Sequence, residues 1–142
     1  MSDIRKFAVE ETGTIHLRDG SDELMYADDV KGNPDKERPI TVTVYGPGSK
    51  TFAKVQAAQS NRAMDRFKRK GKIEQSAADK AEETASFLAS VTKTSANLEL
   101  DKLEGEALYK AVYAEPSLGF IADQVNKHLG DWSNFTKGSQ KS

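Results

Sequence analysis

Cysteine is absent from this chain of 142 residues. Its absence removes disulfides, thiolate nucleophiles and sulfur-ligated metal sites together, and it suits a reducing compartment. No segment approaches the ~20 consecutive apolar residues that a membrane span needs. The opening Met1-Ser2-Asp3-Ile4-Arg5-Lys6-Phe7 lacks the apolar run of a secretory signal, so the expected location is cytoplasmic. Histidine is scarce too. His16 and His128 are the only two, and neither has a second His at metal-ligand spacing. No serine sits in a Gly-x-Ser-x-Gly elbow. Carboxylates are plentiful but scattered as on a solvated surface. The chain is therefore expected to be non-enzymatic, with no catalytic residue, metal or cofactor.

Net charge is also small, at −1, which gives no global attraction to nucleic acid or to an anionic membrane. The charge is unevenly placed, however. Residues 1–45 carry 6 basic and 10 acidic side chains, net −4. Residues 46–75 carry 8 and 2, net +6, and residues 76–142 carry 7 and 10, net −3. A basic middle between acidic flanks could pair head to tail between copies, so self-association is one expectation. Hydrophobic residues make up 37% and charged residues 30%, enough for a modest core in one domain.

The pattern predicts an α+β fold, mostly helical, with a small N-terminal antiparallel hairpin or sheet followed by about four α-helices. The expected domain spans 1–135, with a β-rich part at 1–46, a helical part at 47–135 and a polar tail at 136–142. Thr14-Ile15-His16-Leu17-Arg18 alternates as a strand, and Asp19-Gly20 follows as a turn. Ile40, Val42 and Val44 share one face of a second strand ending at Tyr45. The polar stretch Asp28 to Asp35, with its Gly and Pro, reads as a loop.

Helices follow. Ser49 is placed to cap one running to about Lys70, with Gly71 to end it. Its apolar positions Phe52, Val55, Ala63 and Phe67 keep helical spacing only roughly. Ser76-Ala77-Ala78-Asp79 has the form of a capping box, and Ala77, Ala81, Ala85, Leu88 and Val91 then make a clean stripe. Thr94 to Leu100 is ambiguous, with Leu98 and Leu100 alternating with polar neighbours as a short strand would. Leu103 to Ala114 is helical, Pro116 stops it, and Ser117 is placed to cap a last helix ending at Gly130.

Three places invite a functional reading. Gly46-Pro47-Gly48-Ser49-Lys50-Thr51 follows a strand and opens a helix, the context of a phosphate-binding loop. Its glycines bracket one residue where four are required, so it reads as a turn. The basic run Arg62, Arg66, Lys68, Arg69, Lys70 and Lys72 is opposed only by Asp65. It fits a solvated helix end, an acidic protein partner or, less well because Phe67 is its only aromatic, a nucleic acid. Phe67 itself is expected to face the core. Finally Phe120, Trp132 and Phe135 lie on or just beyond the last helix, where they either cover the core or anchor a partner. Arg62, Arg66, Arg69, Phe120, Trp132 and Phe135 are thus the candidate partner-binding residues.

Several stretches together resemble the small tail assembly chaperones of long-tailed bacteriophages. These are Ile40-Thr41-Val42-Thr43-Val44-Tyr45-Gly46-Pro47-Gly48-Ser49-Lys50, the helix bearing Gln59-Ser60-Asn61-Arg62, the segment Ala111-Val112-Tyr113-Ala114-Glu115-Pro116-Ser117-Leu118-Gly119-Phe120-Ile121, and Gln124-Val125. The likeness spans roughly residues 1–135. It implies a non-catalytic protein of the host cytoplasm that coats the tape measure protein and helps recruit tail tube subunits. A structural tail component and a small nucleic-acid-binding regulator are the alternatives. The family is largely helical, so the strands expected here are a departure. The resemblance also suggests that Ala77, Ala81, Ala85 and the C-terminal aromatics meet helical stretches of the client.

Overall fold

A computed structural model describes residues 3–70 and 77–136. Gly71 and Ser76, expected to end one helix and cap the next, lie outside the described residues, as do Lys72 and the tail from 137. The elements run β1 (Thr12–His16), β2 (Tyr26–Asp28), β3 (Pro34–Pro39), β4 (Thr41–Tyr45), α1 (Lys50–Lys70), α2 (Ala77–Val91), β5 (Thr92–Ala96), α3 (Gly105–Ala114) and α4 (Gly119–Leu129). The α+β class holds, at 52% helix and 21% strand, with four α-helices among the described residues.

The order of strands then helices holds only in part. β1 and β4 pair antiparallel from Thr12↔Tyr45 to His16↔Thr41. β5, which arrives only after two helices, takes the other edge of β4 through Thr41↔Ala96 and Thr43↔Thr94. Alternation explains the pleat. Gly13, Ile15, Val42 and Val44 are buried on one side, while Thr14 and Thr43 share a 2.9 Å hydroxyl contact on the other. The ambiguous stretch Thr94 to Leu100 is strand only at its start: β5 runs Thr92–Ala96, and Asn97, with φ 62°, turns the chain away before Leu98 and Leu100.

Part of the expected loop is a second hairpin, β2 with β3. Asp29 closes it, its Oδ1 accepting from the N–H groups of Lys31 (2.8 Å) and Asn33 (3.1 Å). This side-chain turn supplies the reversal while Pro34 and Pro39 sit at the strand ends, where a missing donor costs least.

The core lies between the three-stranded sheet and α2, α3 and α4. Ile15, Leu17, Val42 and Val44 meet Ala85, Leu88 and Val91 of α2, Leu108 and Val112 of α3, and Ile121, Val125 and Leu129 of α4. One polar pair crosses it. The Thr92 hydroxyl donates to the Leu88 carbonyl at 2.8 Å, so the Tyr113 hydroxyl, 2.7 Å away, donates to Thr92. Burial pushes that phenol up to about 12, although the Thr92 bond works the other way. α3 begins at Gly105 rather than Leu103, because Asp101, Lys102 and Gly105 all take left-handed φ. Ser117 does not cap α4. It lies in a 3-10 turn, Pro116–Leu118, whose N-cap is Glu115, and the Glu115 carboxylate accepts from its hydroxyl at 3.1 Å.

α1 differs from the other helices. Its 21 residues make a rod of about 31 Å. It packs on α2 through Phe52 and Phe87, edge to face at 5.6 Å, yet no described side chain within it is buried. The α2 stripe behaves alike at its start: Ala81 is exposed and burial begins at Ala85. Beyond the Phe52–Phe87 contact, the two helices extend past the core as an arm.

Candidate protein-binding surface

The arm begins at the strand-to-helix turn. Ser49 is buried, its Oγ donating to the Gly46 carbonyl at 2.8 Å and accepting from the Phe52 N–H at 3.1 Å. That is an N-cap, satisfying one of the orphan amides of the first turn. The glycines around it answer to side chains rather than to a ligand. A Cβ on Gly46 would lie 2.5 Å from the Phe135 ring, and one on Gly48 would lie 2.6 Å from Val9. The loop is filled from within the chain where a phosphate cradle would be open.

The three C-terminal aromatics separate. Phe135 is fully buried, its ring against Gly13 and Gly46 and edge-on to His128 at 5.3 Å. Buried so, it is a core residue and cannot be the expected partner anchor. Phe120 is half-buried against the core. Trp132 stays 56% exposed, its Cζ3 lying 3.5 Å from where a Gly48 Cβ would be, and so borders the turn that starts α1. Glu10 N–H donates to the Phe135 carbonyl at 2.7 Å, which ties the N-terminal segment to the same end. Ile4 and Phe7 of that segment are 77% and 68% exposed.

The cations on α1 divide as well. Arg66 turns toward α2, where its guanidinium meets Glu83 at 3.4 Å with both side chains mostly buried. Its Nε is buried without a hydrogen-bond partner. Arg66 therefore holds the arm together rather than facing a partner. Arg62, Lys68 and Arg69 are exposed. Phe67, expected inside, is 47% exposed, and Met64, one turn before it, is 52% exposed. The interhelical contact is made by Phe52, Val55, Gln59, Ala63 and Arg66, all half-buried, and Phe67 lies off that line. The rough apolar spacing of α1 was the available signal, because it comes from two overlapping stripes.

The histidines stand apart. His16 packs edge-on to Tyr26 at 5.0 Å and its Nε2 lies 2.8 Å from the Met25 carbonyl. Burial holds the His128 imidazole below its ordinary pKa, with Asp131 pulling weakly the other way. Among the described residues no group of three His, Asp or Glu side chains is placed to hold a metal. No described helix is long and apolar enough to cross a membrane.

Comparison with protein-family models, with curated proteins and with solved structures found no match for this chain.

Proposed function

We propose that this chain is a tail assembly chaperone of a long-tailed bacteriophage, acting without catalysis in the host cytoplasm. It binds the tape measure protein and helps bring tail tube subunits to it. One observation carries the reading beyond the resemblance in sequence. Besides Leu24, Val30 and Leu103, large apolar side chains remain uncovered in two groups, Ile4, Phe7 and Trp132 toward the end where α1 starts and Met64 and Phe67 toward its far end. From Ser49 to Phe67 the helix runs about 27 Å, so the two places are well separated.

Two modest contacts suit a protein that must coat a long client and then leave. Each alone is weak, and many copies along one client multiply them through effective concentration. Covering the client's apolar helix faces also suppresses their aggregation. The basic arm and the acidic remainder of the chain add attraction between neighbouring copies, screened within about 10 Å at ordinary salt.

The test is co-expression of the tagged chain with the tape measure protein encoded beside it. Soluble, co-purifying client is the expected result. An insoluble client in the presence of abundant folded chain would contradict the proposal and favour a structural tail component.

A further inference from the structure

On α1, Ala53, Ala57, Ser60, Met64 and Phe67 follow one another at four, three, four and three residues. That is the spacing of a coiled-coil seam. All five are exposed. The face they form lies roughly 100° round the helix from the line that meets α2. The small residues allow a neighbouring backbone close approach, and Met64 and Phe67 supply apolar anchors at the distal end. Alongside it runs a shallow groove between α1 and α2, lined by Ser60, Ala63, Lys80 and Thr84 among others.

The border of this face identifies its occupant. Lys50, Lys54 and Lys68 lie along one edge of it, and Lys80 of α2 lies across the groove on the other side, where the carboxylate of Glu83 is already paired with Arg66. Asp65, the only carboxylate of α1, lies about 20° round the helix from Lys54 and three residues before Lys68, so with three lysines against it this edge keeps a net positive charge. A second α1 laid on the same face would set lysines against lysines, so self-pairing through it is disfavoured. An amphipathic helix with acidic residues flanking its apolar seam meets both requirements.

We infer that the outer face of α1 is a docking seam for an acidic amphipathic helix, completing a three-helix contact with α1 and α2. The inference rests on the chaperone reading in that it names the chemistry of the client segment recognised there.

The test uses the full chain and a labelled synthetic helix of about four heptads, with Leu in its seam and Glu on both borders. Its binding is followed by fluorescence anisotropy. The controls are the same helix with Lys for Glu, a scrambled acidic peptide and a single-stranded oligonucleotide. Binding of the acidic helix alone is expected, weakening as salt rises. Met64→Ala with Phe67→Ala, and separately Lys54→Glu with Lys68→Glu, should each weaken it at least about tenfold while circular dichroism stays unchanged. Absence of binding overturns the inference, as does binding indifferent to both pairs of substitutions. Equal binding of the oligonucleotide, indifferent to Met64 and Phe67, overturns it in favour of phosphate contacts. The same variants in co-expression separate the two claims. If the tape measure protein is solubilised as well by the variants as by the original chain, the seam fails and the chaperone reading stands. If the peptide binds the seam and the tape measure protein is not solubilised, the reverse holds.

Discussion

α1 and α4 are both amphipathic helices, and they use their apolar residues in different ways. α4 has 11 residues and buries Ile121, Val125 and Leu129 almost completely. α1 has 21 residues and buries none that are described. One clean stripe at three- and four-residue spacing commits α4 to the core. Two interleaved stripes on α1 each offer a partial face, and among the described residues α2 covers one of them. Gln124 sharpens the contrast, since its amide bonds both the N–H (2.7 Å) and the carbonyl (2.6 Å) of Arg18 and pins α4 to the chain leaving β1. In the distal part of α1 the Arg66–Glu83 pair, at 3.4 Å, is made between two long side chains and not to backbone.

The sharpest break of that comparison removes one aromatic ring from each region. Phe135→Ala empties a fully enclosed site beside Gly13 and Gly46 and should cost about 3–5 kcal/mol in urea unfolding. Phe67→Ala should stay within about 0.5 kcal/mol, because its ring is half exposed already. Equal losses would mean that the arm is part of the core. Gly46→Ala comes next, at about 1–3 kcal/mol, since the added methyl would push directly on the Phe135 ring. Ser49→Ala should cost about 1 kcal/mol by uncapping α1, and hydrogen exchange should localise the loss to that helix's first turn.

The smallest effect is one of pH. The His128 imidazole sits below its ordinary 6.5 in the folded chain because burial disfavours the cation. The unfolded chain therefore takes up that proton first as pH falls. The stability due to neutral His128 is present above about pH 6.5 and is lost below it. Urea midpoints measured at about pH 7.5 and about pH 5.5 should fall further for the original chain than for His128→Gln. Equal falls would place the acid sensitivity elsewhere.

Much of this was legible in the residues. Alternation at Ile40–Tyr45 and the single stripe of α4 each had one consistent solution, and both stand in the fold. Ser49 as an N-cap could be read from its place after a strand and two glycines. Other features depended on distant partners. β5 joins β4 across two helices, and Thr92-Lys93-Thr94-Ser95-Ala96 has no apolar alternation of its own to announce it. The β2–β3 hairpin hangs on the Asp29 side chain, and prolines stand at both ends of β3, which locally argue for a loop. In the candidate surface, Arg66 and Phe135 drop out because Glu83 and two glycines, far away in sequence, claim them. Met64 and Phe67 enter because α2 lies on the other side of α1.

The central claim is that α1 is an arm held ready for a client while the rest of the chain is its scaffold. Hydrogen exchange of the chain alone and in complex with the tape measure protein tests it most directly. The account predicts fast exchange over the distal half of α1 in the free chain, strong slowing there in the complex, and little change in α4. An arm already as protected as α4 in the free chain, or a client that slows exchange everywhere except α1, would contradict it.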